Sequence, residues 1–455
     1  MKCIEDEIPF ELPEGWEWCR VRDIAAVKGG KRLPKGVGFS PCRTAHAYIR
    51  VTDMKNHCIN TDDLKYISEE VFLQIKNYTI SKDDLYVTIA GTIGVTGEVP
   101  TELDGMNLTE NAVKITNIQI NKNYLCLIIQ SEFVQQQFQD KTHQVAMPKL
   151  ALERILSTLI PVCTITTQSA MVSKFVEMDS LINQIREEKE ILAETVSLTK
   201  SKILDLAIRG KLVPQNPDDE PASVLLERIR AEKEELIKAG KIKRDKKESI
   251  IFKGEDNSYY EKVGVEIRCI DSEIPFEIPD GWMYERLGNI CSIARGGSPR
   301  PIENYLTDDE NGLNWIKIGD TEQGGKYIYS TEEKIRPEGL SKTRYVCSGD
   351  FLLTNSMSFG RPYILRTNGC IHDGWLVIGG IEIAFHQDYL YYMLSSSIMY
   401  NALSSLAVGS TVKNLKSDSV KSLLVPIPPL AEQACISRQI ENYFATMLPI
   451  ERSLS

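Results

Sequence analysis

The chain repeats itself, and that constrains its fold more than any other feature. Residues 2–24 and 268–290 superpose at a constant offset of 266, with 12 of the 23 positions identical. Both copies carry the same punctuated core, Ile8-Pro9-Phe10-Glu11 with Pro13, Gly15 and Trp16, and Ile274-Pro275-Phe276-Glu277 with Pro279, Gly281 and Trp282. A period this long means that one ancestral domain was copied. Two related units are expected, handling two similar objects or two halves of one.

The echo continues downstream. Val27-Lys28-Gly29-Gly30 is matched to Arg295-Gly296-Gly297 by allowing a one-residue insertion at Ala294, and Tyr48 to Asp53 answers Trp315 to Asp320. Asp84, Thr88 and Gly94 stand at offset 266 from Asp350, Thr354 and Gly360. Leu150, Pro161 and Gln168 stand at offset 265 from Leu415, Pro426 and Gln433. Between these anchors the copies diverge, Gly91-Thr92-Ile93 facing Met357-Ser358-Phe359. A shared framework with divergent loops is what two readers of different targets require.

Short apolar runs, Tyr48 to Val51, Leu85 to Ala90, Trp315 to Ile318 and Phe351 to Thr354, read as strands, and helices are expected over 124–139 and 388–403. No regular β-α-β alternation appears, so each unit is read as α+β and not as a doubly wound sheet. Trp16 and Trp282 are read as core anchors, and Gly94 and Gly360 as turn formers.

After Gln168 the texture changes. Ile182, Ile185, Lys189, Leu192, Val196, Thr199, Ile203 and Leu206 alternate spacings of three and four, a heptad seam interrupted at Lys189 and Thr199. Ser169 to Arg209 contains no proline or glycine, which allows one helix of roughly 60 Å, ended by Gly210. A linker from Pro214 to Glu220 leads to a second helix that starts near Pro221, stops at Gly240 and carries Val224, Leu225, Ile229 and Leu236 on one stripe. The seam needs a partner: the second helix, the helix around Gln433 to Phe444, or another protein. Lys241 to Lys247 is a solvated cationic linker.

Composition removes several classes. Hydrophobic residues at 42% and charged residues at 25% describe an ordinary globular protein. No apolar run reaches the length of a membrane span and no secretory core follows Met1, so a cytoplasmic location is expected. The 11 cysteines are scattered without a Cys-x-x-Cys pair, which implies reduced thiols and no zinc site. A net charge of -10 argues against wrapping nucleic acid by bulk charge. Five cations against one acid between Val21 and Val37 nonetheless make a local basic face, and screening makes local fields decisive.

Catalytic machinery is missing. There is no phosphate loop, no Gly-x-Gly-x-x-Gly fingerprint, no Asn/Asp-Pro-Pro-Tyr/Phe segment and no nuclease-type metal motif. The five histidines have no ligand-like spacing and are read as surface or loop residues, with His372-Asp373 the only suggestive pair.

Three segments then converge on one family. Gly210-Lys-Leu-Val-Pro-Gln215 with Asp219 to Arg230 resembles the central conserved region of specificity subunits of type I restriction-modification systems. Pro426-Ile-Pro-Pro-Leu-Ala-Glu-Gln433 is similar to their domain-closing motif, and Ile8 to Trp16 to their domain-opening one. The resemblance implies two mixed α/β target-recognition domains, 1–168 and 267–433, separated by long, coiled-coil-like conserved helices in 169–266, with a short distal helix over 434–455. It implies that each domain reads one half of a bipartite site in double-stranded DNA. The helices would set the gap and dock two modification subunits, with a separate motor subunit that translocates and cuts. Those modification partners bind S-adenosylmethionine and methylate adenine, so the chain itself needs no cofactor and no catalysis. One departure is that nothing after Ser455 answers Ile191 to Gly240, which leaves a truncated, half-functional subunit open beside a protein-interaction scaffold.

Phosphate contacts call for cations or small donors on loops, and base readout for amides and guanidinium forks. By that criterion the first domain offers Lys31, Arg32, Lys35, Arg43, Lys55, Thr92 and Lys149. The second offers Arg295, Ser298, Arg300, Asn355, Ser356, Arg361, Lys413 and Asn414.

Overall fold

A computed structural model describes residues 7–139, 149–244, 248–322, 324–356, 359–407 and 414–454. The chain divides into Met1–Glu187 (unit 1) and Glu188–Ser455 (unit 2). Both are mixed helix and strand, as the sequence indicates.

Unit 1 opens with the strand Glu17–Arg20, which pairs antiparallel with Leu159–Val162, joining the entry of the repeat to its exit. Two four-stranded sheets lie between them in the chain. One has the order Ala26–Gly29, Ala112–Thr116, Leu85–Thr88, Thr96–Glu98. The other runs Lys65–Ile67, His46–Ile49, Met106–Leu108, Thr79–Ile80. Leu85 to Val87 reads as an unbroken apolar run because the strand is buried on both faces. Leu85 and Val87 join the core that holds Leu125, Ile129 and Phe138, whereas Tyr86 points into a second core with Ala47, Ile49 and Leu108.

Unit 2 repeats this plan. Met283–Arg286 pairs with Leu424–Ile427, and Phe351–Thr354 alternates in the same way, Phe351 and Leu353 to one core and Leu352 to another. The register also corrects the sequence alignment. Gly29 faces Val113 as Arg295 faces Leu376, so Gly30 corresponds to Gly296 and there is no insertion at Ala294.

Each predicted recognition-domain helix is in fact two. Lys122–Gln130 and Glu132–Gln139 are broken at Ser131, and Gln387–Ser395 and Ser397–Leu406 at Ser396. Both serines adopt extended backbone, and their hydroxyls accept from Val134 N (3.4 Å) and Met399 N (3.3 Å), capping the next helix. The closing glutamines explain why they recur. Gln168 accepts from Asn121 N at 2.9 Å and donates to Cys163 O at 2.7 Å. Gln433 accepts from His386 N at 2.8 Å and donates to Ala384 O and Pro428 O at 3.0 and 3.1 Å. Each amide ties the start of a helix pair to the end of the exit strand.

The central helix spans Ile165–Ile208, four residues earlier than expected at its start. Gly210, at φ +64°, ends it, and a Cβ there would stand 2.3 Å from Pro279 Cγ. The heptad seam is only partly buried. Val196 and Ile203 are buried, together with Leu204, Ala207 and Ile208, while Ile182, Ile185 and Leu192 are exposed. Within unit 2 its partners are both internal candidates. Leu225 and Ile229 of helix Ala222–Lys238 and Ile436 and Ile440 of helix Leu430–Leu454 share its core, and Lys200 reaches Glu451 at 2.6 Å. Val224 and Leu236 are exposed, so the second helix buries a narrower stripe than its pattern suggested.

Two further readings change. Trp282 is buried and donates to Glu432 Oε2 at 2.8 Å, but Trp16 is only half-buried. Residues 249–269 are not helical: Ser249–Lys253, Tyr259–Val263 and Glu266–Cys269 form an antiparallel meander. Gly94 and Gly360 do turn the chain, at φ +85° and +74°. No helix among the described residues is long and apolar enough to cross a membrane.

Candidate nucleic-acid interface

Main-chain hydrogen bonds gather four loops at one end of a sheet in each unit. In unit 1, Gly30 N donates to Ala112 O (3.1 Å), Lys31 N to Leu108 O (2.9 Å), Ile89 N to Asn111 O (2.8 Å) and Leu150 N to Ile89 O (2.9 Å). In unit 2 the equivalents are Gly296 N to Trp375 O (2.9 Å), Gly297 N to Ile371 O (3.2 Å), Asn355 N to Gly374 O (2.9 Å) and Leu415 N to Asn355 O (2.8 Å). The glycines are required by contact: a Cβ would lie 2.0 Å from Thr109 O at Gly30 and 2.2 Å from His372 O at Gly296.

This gathering brings together Lys31, Arg32, Thr92 and Lys149 in unit 1. Lys31 is exposed with its ammonium 5.4 Å from the Tyr78 ring, and Arg32 donates to Glu110 Oε1 at 2.6 Å. Thr92 and Lys149 are exposed, the former on the Gly91–Gly94 turn and the latter beside Leu150. Lys35 is exposed further along the first loop. The other two stand elsewhere. Arg43 lies 5.7 Å from the Tyr66 ring at the edge of the second sheet, and exposed Lys55 sits on the tight hairpin Met54–Ile59, whose turn residues Asn56 and His57 have φ of 51° and 59°.

In unit 2 four candidates converge on Asp373. Ser298 Oγ donates to Asp373 Oδ1 at 2.6 Å, Arg295 Nε to Asp373 O at 2.8 Å, and buried Asn355 Nδ2 to the same carbonyl at 2.8 Å. The Arg300 guanidinium stands 3.4 Å from Asp373 Oδ2. Ser356 and Asn414 are half-buried on the adjoining loops. Arg361 is exposed, its main chain paired with Thr354 at the base of the Gly360 turn. Lys413 lies outside the described residues.

The carboxylates at the centre were not sought by sequence reasoning, which looked for donors. Asp373 was noticed only as a neighbour of His372, and Glu110 not at all. They are counterparts, because Ala112 faces Thr88 as Trp375 faces Thr354, and each acid lies two residues before that partner. Hydrogen bonding from Ser298 holds the Asp373 carboxyl below the usual range. Burial pushes Glu110 up, but Arg32 and nearby hydrogen bonds outweigh it and leave the carboxyl below its ordinary value. His372 is, as expected, a loop residue, half-buried between the strands Gly369–Ile371 and Trp375–Gly379: its ring lies against the N–H groups of Gly374 (2.6 Å) and Ile318 (3.2 Å), and burial lowers its pKa.

The family described as Type I restriction modification DNA specificity domain matches residues 13–194 and 279–454, most of both units. The EcoEI specificity subunit of Escherichia coli is 24% identical over 514 residues, covering 98% of this chain and 80% of the relative. The EcoAI specificity subunit of Escherichia coli is 28% identical over 351 residues, covering 64% of this chain and 54% of the relative. The fold is shared with the HsdS subunit from Thermoanaerobacter tengcongensis, at TM-score 0.54 and 17% identity over 99% of this chain and 94% of that one. A chain solved in work on assembly and conformational transition of the type I R-M system gives TM-score 0.60 at 16% identity, covering 98% of this chain and 94% of that one. With its two-fold internal repeat and two matched domains, the chain belongs to the family of type I restriction-modification DNA specificity subunits.

Proposed function

We propose that each unit reads one half of a split site in double-stranded DNA through its loop-bearing sheet end. The observation that carries this is the pairing of an identical main-chain frame with unlike tips: Lys31, Arg32 and Glu110 in one, Gly297, Ser298 and Asp373 in the other. Donors of this kind match phosphate oxygens and base edges, and tips that differ imply half-sites that differ. The chain performs no chemistry of its own. Two modification subunits dock on the helical region, bind S-adenosylmethionine and methylate adenine, and a restriction subunit joins the same assembly. Exposed Met171, Phe175, Met178, Ile182 and Ile185 on the central helix supply apolar surface suited to such docking. The helices set the gap between half-sites.

The test is genome-wide mapping of methylated adenine in a host carrying this chain with a modification subunit. A two-part motif with a constant gap is expected, together with DNA affinity that falls steeply with salt. Methyl transfer by the purified chain alone would refute the division of labour.

A further inference from the structure

Glu110 and Asp373 occupy one structural position in two domains, and neither is placed there by a need for stability. Asp373 keeps 41% of its side chain exposed and Glu110 keeps 24%, and ion pairs that open to water contribute little to folding. Each nevertheless takes a donor from the loop that follows the pinned glycine, Arg32 in one unit and Ser298 in the other. Glu110 takes Arg32 Nε at 2.6 Å, Thr109 Oγ1 at 3.0 Å and Tyr48 OH at 3.3 Å. Asp373 takes Ser298 Oγ at 2.6 Å on one oxygen and has Arg300 and Arg295 at 3.4 and 3.9 Å from the other.

A second observation concerns Asn355, which is fully buried. Its amide N–H is spent on the Asp373 carbonyl, while its Oδ1 has no partner among the described residues. This buried amide ties the turn that carries Asp373 to the end of the strand Phe351–Thr354.

We infer that Glu110 and Asp373 are specificity-determining positioning residues, each orienting the donors of its own loop toward the bases of one half-site. This rests on the DNA-reading function proposed above. An arginine side chain free in solvent would have to be ordered at the moment of binding, and a neighbouring carboxylate removes that cost in advance while selecting one approach of the fork. The two acids differ by one methylene and hold different donors, one guanidinium with a threonine hydroxyl and a phenol against a serine hydroxyl and two guanidiniums. The halves they orient should therefore prefer different bases.

The test uses the full chain in complex with its modification subunit, and sequences the duplexes retained from a randomised pool. Asp373→Asn should weaken base preference in one half of the motif by about tenfold, leaving the other half, the gap and the melting temperature unchanged. Glu110→Gln should do the same to the opposite half. Ser298→Ala, which keeps the acid, should give a smaller loss in the Asp373 half, and Asp373→Glu should partly restore it. Unaltered motifs in both acid variants would overturn the inference, as would equal loss in both halves with a lowered melting temperature. A wild-type complex that retains no two-part motif would overturn the DNA-reading function, and the inference with it.

Discussion

Phe10 and Phe276 stand at the same place in the repeat, each after Ile-Pro, yet Phe10 is 49% exposed and Phe276 only 7%. In unit 1 the ring meets Trp18 and Phe133 at 5.0 and 5.7 Å and otherwise faces outward. In unit 2 the Arg209 guanidinium lies 4.9 Å from the Phe276 ring, and Ala222 N donates to Gly281 O at 2.8 Å, so the segment around Gly210 covers the entry motif. One motif thus serves as surface in one unit and as core in the other. Burial is decided by what reaches a motif, and the motif alone does not carry that information.

The two units should differ most in stability at their closing glutamines. Gln433→Leu leaves one N–H and two carbonyls without a partner and should destabilise by about 3 kcal/mol, against about 2 kcal/mol for Gln168→Leu, which strands fewer groups. Urea unfolding of the two variants checks the order, and equal losses would mean that the additional carbonyl held by Gln433 contributes nothing. Next comes acid. Arg286 first, then Ser249 and Arg268, hold the Glu261 carboxyl down to about 2 from 4.5. A depressed folded pKa contributes stability above the unfolded value, and that contribution is lost as pH falls from about 4.5 toward 2. The loss should amount to roughly 2 kcal/mol. Glu261→Gln should melt lower at pH 6, and the gap to the parent should shrink below pH 4.5 and close only at or below about pH 2; curves that stay parallel would exclude this carboxylate. The meander that carries Glu261 belongs to unit 2, so this acid response should be seen there. The smallest effect is at the tip of unit 1: Arg32→Gln should leave the melting temperature unchanged, weaken DNA binding about fivefold and relax base preference in the half-site that unit 1 reads.

Much of the framework was legible because it is written in residues with a single physical job. Gly210 stops a helix, the apolar run from Leu85 forms a strand, and the paired glutamines recur at offset 265. The meander was missed because Ser249 to Cys269 mixes charged and apolar residues without a strong period, and only packing beside Asn289 and Arg286 resolves it. The helix breaks were missed because serine interrupts no periodic pattern. The two carboxylates escaped because shorter loops shift the offset to 263 at that point, so Glu110 and Asp373 align only once strand register is known. Half of the heptad seam looked like interior and is exposed, since a pattern announces the wish for a partner and not its presence.

The loops of the candidate interface are joined by peptide groups, Leu150 to Ile89 to Asn111 in one unit and Leu415 to Asn355 to Gly374 in the other. Amide and carbonyl are common to nearly every amino acid, so exchanging side chains along these tips removes none of the bonds that keep them side by side. New target preferences can accordingly arise by substitution or by shuffling of whole tips while the scaffold beneath keeps its stability, which is the property a system under pressure to change its recognised sequence would need.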